Sequence, residues 1–196
     1  MSAAFPNTVS ELQSSIHHKW ERYEQFTLRR FDTPRRNEFY GATDALWDTD
    51  HALRSVWNGL PKQEGLAKLV AYGMLQALVS QQEAAKSLRE IILPRLAWKV
   101  SDVTELQRIR ILRVRLSGHI VLARHYGGTA STINVRDPDF ISGVIYGLDS
   151  ESADRFPKAS IQGLILENSA GLLPLLTEVD RALNEPEMVF RTLSQT

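Results

Sequence analysis

Cysteine is missing from all 196 residues, which excludes a disulfide framework, a thiolate metal site and a cysteine nucleophile. Nor does one charge dominate. The 23 Lys and Arg balance 23 Asp and Glu, so the global field offers no argument for a polyanionic partner. No run approaches the roughly 18 apolar residues of a membrane span, and the opening MSAAFPNTVSEL lacks the basic-then-apolar order of a secretory leader. The expectation is a soluble, cytoplasmic chain with no membrane association. The short signatures of common chemistries are absent too: no GxxxxGK followed by Ser or Thr, no GxGxxG after a strand, no HExxH and no GxSxG. No cofactor and no metal are expected.

What is present is a hydrophobic fraction of 43%, enough for a sizeable core in a single domain spanning residues 1–196. Charge is unevenly spread along the chain. Basic residues gather between His17 and Arg36, and Asp137, Asp139, Asp149, Glu151 and Asp154 crowd a later segment.

Helical periodicity dominates. Capped by Asn7, Thr8 or Ser10, the first amphipathic pattern runs through Val9, Leu12, Ile16, Trp20, Tyr23, Phe26 and Phe31. DTPRRNEFYG then supplies turn chemistry at Asp32, Pro34, Asn37 and Gly41. A second stripe joins Ala42, Leu46, Thr49, Leu53, Val56, Trp57 and Leu60, with Trp47 and Trp57 assigned to the core. From Glu64 to about Leu93 the spacing holds without a break, which predicts a helix on the order of 40 Å long that Pro94 ends. Its Gly73, Ala77, Ala84 and Ala85 are small enough for close helix approach, and Gln81, Gln82 and Glu83 are expected on its polar side. STINV and FISGVIYGL read as a small hairpin or irregular excursion. The helical period returns from about Pro157, where Gly171 and Pro174 predict a kink. The fold expected is all-α: a mostly antiparallel bundle of four to five helices with one small excursion before the last helix.

Adjacent His17 and His18 point about 100° apart on a helix and cannot chelate one metal, so they are surface residues. Asp44, Asp48 and Asp50 read as an acid cluster at a helix start.

One stretch does not fit an ordinary surface helix. ELQRIRILRVRLSGHIVLARHYGG, from Glu105 to Gly128, carries five arginines, two histidines and one acid among apolar residues. Ser101 or Asp102 supplies its N-cap, with Glu105 completing a capping box, and Gly127 and Gly128 close it. Leu106, Ile109, Leu112, Leu116 and Ile120 form one apolar face, with Arg113 inside it. Such a charge has to be paired or used. Arg108, Arg115 and His119 form a ridge on the other side, beside the apolar Ile111 and Leu122, so that side calls for a partner chain or ligand.

YGMLQALVSQQEAAKSL followed by LQRIRILRVRLSGH resembles the HEPN superfamily, all-helical domains that carry an Arg, four to six residues, then a His, often with a Gly before the His as Gly118 stands here. The likeness extends to Trp20 and Tyr23 in the first helix and to the FIS excursion at Phe140, Ile141 and Ser142. It implies a homodimer through the Arg/His helix, with two motifs in one cleft, and a metal-independent endoribonuclease of toxin or phage-defence type. In that reading Arg113 and His119 are catalytic, and Arg108, Arg110, Arg115 and Ser117 bind RNA or phosphate. An antitoxin or other partner protein is a further implied partner. Many active members carry a polar residue directly after the Arg, whereas Val114 stands here. Either Arg115 or Ser117 supplies the polar function, or the bundle binds nucleotide, RNA or a partner protein without cutting.

Overall fold

A computed structural model of the chain describes residues 4–27, 33–94, 98–116, 129–146 and 153–184. Five helices, α1 (Thr8–Thr27), α2 (Thr33–Val56), α3 (Glu64–Ile92), α4 (Thr104–Leu116) and α5 (Ile161–Ala182), form an all-α bundle. Between α4 and α5 lies a three-stranded antiparallel sheet, β1 (Thr129–Asn134), β2 (Phe140–Tyr146) and β3 (Ala153–Ser160), in the order β1-β2-β3. Among the described residues no helix is long and apolar enough to cross a membrane.

Most of the described stripe residues are buried, while Leu66 and Leu69 at the start of α3 are exposed. In one half of the core, Trp20 of α1 stacks on Phe39 of α2 with ring centroids 4.0 Å apart, and Leu46, Leu88, Leu172 and Leu176 close around them. In the other half, Leu78 of α3, Ile109 of α4, Ile165 of α5 and Ile141 of β2 meet beneath the sheet. Each such buried side chain contributes about 1.5–3 kcal/mol relative to its exposed state. Ion pairs bind the helices laterally: Lys19 to Asp180 at 2.7 Å joins α1 to α5, and Arg89, buried, to Glu178 at 2.9 Å joins α3 to α5.

Several local expectations are overturned. DTPRRNEFYG is not a turn from Thr33 onward: Pro34 occupies the first turn of α2, where its missing N–H costs nothing, and the helix continues through Gly41. Asp44, Asp48 and Asp50 therefore lie in mid-helix; Asp50 is buried and accepts from Arg54 Nε at 2.8 Å, one turn on. Trp57 is buried as expected, but Trp47 is 46% exposed and packs edge-on against His51. A Cβ placed at Gly73 would meet no other element within 4 Å, so Gly73 is not a close-approach site. Pro157 falls in β3, and α5 begins only at Ile161, where the Ser160 side chain accepts from Gly163 N–H at 3.2 Å. The first helical bond of α4, Gln107 N–H to Val103 O at 3.0 Å, moves its cap position from Ser101 or Asp102 to Val103. The closing Gly127 and Gly128 lie outside the described residues.

Two glycines are set by geometry. Gly59, after α2, has φ +107°, and the next residue, Leu60, donates its N–H to Pro138 O at 2.8 Å, tying the β1–β2 turn to the bundle. Gly171 lies in an unbroken α5 that also contains Pro174; a Cβ there would sit 2.7 Å from Leu106 Cδ2. Leu106 is fully buried and has nowhere to swing. Gly171 is thus the contact point of α4 on α5.

Replacing Gly171 with Val overpacks this contact and should cost about 1–3 kcal/mol in urea unfolding, with part of the loss recovered in a Leu106→Ala background; equal costs in both backgrounds would refute the assigned contact. In the β1–β2 turn, the Lys158 ammonium, and after it the Asp139 N–H, hold the Asp137 carboxyl below the ordinary carboxylate range. A group so lowered stabilises the fold above that range and loses the contribution as pH falls through its folded value. In a carboxyl NMR titration Lys158→Ala should raise the Asp137 midpoint, and no movement would remove Lys158 as the cause.

Candidate functional site

Helix α4 buries Leu106, Ile109, Leu112 and Leu116, one face as the spacing predicts. Its arginines do the lateral work. Arg108, exposed, makes a fork to Glu167 of α5, with Nε donating to Oε1 at 2.7 Å and Nη2 to Oε2; the Glu167 carboxylate raises the Arg108 pKa further above its already high value. Arg110 donates Nε to Gln82 Oε1 at 2.7 Å and lies 2.5 Å from Glu83 Oε1, both on α3. Arg113, half-buried, donates from Nη2 to Gln76 Oε1 of α3 at 2.8 Å. It therefore reaches out of the apolar face rather than sitting within the core.

Gln81 and Gln82 are not on a polar side of α3: both are buried. Asn168 of α5, also buried, donates to Gln81 Oε1 at 2.7 Å and accepts from Gln82 Nε2 at 2.8 Å. Gln82 Nε2 also approaches Leu106 O at 3.4 Å, and Gln82 Oε1 takes the Arg110 bond. Two glutamines and an asparagine, all buried, and a half-buried arginine thus form one chain across α3, α4 and α5. Position 82 follows Leu78 by four and precedes Ala85 by three, so the period alone put it inside; only its polarity argued otherwise.

Beside Arg113 a cavity of about 320 Å³ opens between α3 and α4, lined by Tyr72, Leu75, Gln76 and Arg113. Tyr72, Gln76 and Ser80 stand one turn apart on α3, hence on one face. Gln76 Nε2 donates to Ser80 Oγ at 3.1 Å, which turns its carbonyl oxygen toward Arg113. A second groove of about 420 Å³ lies on the α2 side of Gln76 and includes Glu38 and Glu83; its carboxylates make it unsuited to a phosphate.

The arginines differ in what they would give up to an incoming anion. Arg108 and Arg110 would have to leave carboxylates, whereas the partner of Arg113 among the described residues is a neutral amide. Charge-assisted bonds to ionised groups are about twice as strong as neutral ones. Arg113 is the readiest of the three to exchange. Of the remaining sequence candidates, Arg115 belongs to α4 but its side chain is outside the described set, and Ser117 and His119 lie wholly outside the described residues. The sequence reading missed Tyr72 and Gln76, although their spacing of four on the long helix was a usable signal.

Among the described residues no group of three or more His, Cys, Asp or Glu could hold a metal ion. No family model matches the chain, and neither a curated protein nor a solved structure matches it.

Gln82→Leu and Asn168→Leu should each cost about 1–3 kcal/mol, because each strands a buried partner. In a urea double-mutant cycle the pair should couple by about 0.5–3 kcal/mol. Strict additivity would mean that the two amides do not depend on each other.

Proposed function

We propose that the chain is an HEPN-like, metal-independent endoribonuclease that acts as a homodimer, with Arg113 and His119 as its working pair. The observation that carries this reading is Arg113 at the mouth of the α3–α4 cavity, held by a neutral Gln76 that it can release in favour of a phosphate. In the reaction a ribose 2′-OH attacks the adjacent phosphate. His119 moves the proton, as an imidazole near neutral pKa does, and the Arg113 guanidinium holds the oxygens on which negative charge develops. Residues six apart on a helix are roughly 9 Å apart along its axis and about 120° apart around it, so two motifs brought together by a two-fold axis converge better than one. Arg115 and Ser117 are the proposed polar supports. Arg108 and Arg110, paired with Glu167 and Glu83, contribute to phosphate binding only on releasing those carboxylates. A toxin or phage-defence role, with an antitoxin as cognate partner, belongs to the same proposal.

One observation favours a second reading, a bundle that binds RNA, nucleotide or a partner protein without cutting. Val114, directly after Arg113 and half-buried, brings no polar group where active relatives of the superfamily carry one.

Purified protein is incubated with mixed RNA in EDTA beside Arg113→Ala and His119→Ala variants. The ribonuclease reading expects cleavage that survives chelation and falls about 10²–10³-fold without Arg113 and about 10²–10⁴-fold without His119. Intact RNA that is nonetheless retained by the wild-type protein selects the binding-only reading. A monomer at micromolar concentration contradicts the dimer.

A further inference from the structure

The α3–α4 cavity has a second chemical character that phosphate binding does not use. Tyr72, 37% exposed, and the buried Leu75 line it together with Gln76 and Arg113, and Leu69, 68% exposed, stands one turn before Tyr72 on α3. Together Tyr72 and Leu69 leave apolar surface exposed on α3 at the edge of the cavity. Gln76, one turn after Tyr72 on α3, spends one N–H of its carboxamide on Ser80 and one oxygen lone pair on Arg113. A carboxamide has two N–H groups and two acceptor sites. Among the described residues one donor and one acceptor therefore remain, the pattern with which a glutamine reads a base edge.

We infer that this cavity is a subsite for one unstacked nucleotide of single-stranded RNA: the base lies against Tyr72, Gln76 bonds its edge, and Arg113 takes the adjoining phosphate. The inference rests on the reading of Arg113 as a phosphate-holding residue and adds the base to it. Volume agrees with the assignment, since about 320 Å³ lies within the range of small-ligand sites. Chemistry agrees as well. Sequence-tolerant recognition of single strands combines an aromatic platform for the base with a cation for the backbone, and Tyr72 and Arg113 supply one of each across the same opening. The groove on the far side of Gln76 carries Glu38 and Glu83, so the strand leaves toward the α4 side.

Binding is read with a fluorescein-labelled RNA hexanucleotide of mixed sequence, 2′-O-methylated throughout so that no attacking hydroxyl remains and affinity is separated from cleavage. Tyr72→Ala should weaken binding roughly tenfold, the scale of one lost base–aromatic stack, while Tyr72→Phe retains it. Arg113→Ala should weaken binding and reduce the salt slope by about one. Because Tyr72 is partly exposed, its variants are expected to keep the helical circular dichroism of the wild type. Unchanged affinity in Tyr72→Ala overturns the inference, as does a Tyr72→Ala protein whose dimer dissociates while affinity per protomer is kept, since the ring would then serve a second copy. Loss of binding in Tyr72→Ala with no cleavage by the wild type leaves the subsite standing and removes the ribonuclease.

Discussion

A buried amide must be bonded at both ends or it costs on the order of a lost hydrogen bond at each, and Gln82 meets that demand by reaching two other helices at once. Its N–H side meets Asn168 on α5 and the Leu106 carbonyl on α4, and its oxygen takes Arg110. Apolar contacts are indifferent to small rotations of a helix about its axis; this chain is not. It fixes the rotation of α4, and with it which arginines face α3. Arg113 follows Arg110 by three residues and so lies on the same side, where Gln76 receives it. The pairs Arg110 with Gln82 and Arg113 with Gln76 also set direction, because α3 numbers fall as α4 numbers rise. The two helices are antiparallel.

The other helix pairs follow from the same kind of register. Gln82 meets Asn168 and Arg89 meets Glu178, so α5 runs parallel to α3. Leu106 against Gly171 and Arg108 against Glu167 set α5 antiparallel to α4. Close approach at Gly171 brings α5 near enough for Asn168 to enter the amide chain one turn earlier. The small residue and the buried amide are two parts of one constraint: distance from the first, rotation from the second.

Much of this was legible because burial follows period. The long α3, the core face of α4 and the return of helix in α5 are visible in the spacing of Leu and Ile, and the β-branched excursion is visible in the change of period. Illegible features fall where residue type and position disagree. Gln81 and Gln82 are polar at interior positions, and only a partner such as Asn168, 86 or more residues away, makes that burial acceptable. Trp47 is apolar at an exterior position. Pro34 reads as a breaker unless the helix is known to start just before it. The third strand, ADRFPKAS, carries a proline and little alternation, and exists because β2 offers it an edge. As for the candidate site, the sequence pointed to α4 and to Arg113, and the spacing of Tyr72 and Gln76 put those two on one face of α3; that this face meets Arg113 depends on the rotation of α4, which no local pattern contains.

The pairing of the α4 arginines also limits how a nucleic acid could be held. A chain with as many acids as bases has little long-range field to attract RNA. Locally, Arg108 and Arg110 are already neutralised by Glu167 and Glu83, so these two contribute little to counterion release, the usual source of affinity for a polyanion. What remains at the cavity is one cation with a neutral partner, one amide with a free edge and one exposed ring. In the proposed subsite, stacking and hydrogen bonding would supply more of the affinity than charge does, and the RNA would be one whose bases are free. A paired duplex hides the faces that Tyr72 could use; a single strand offers them.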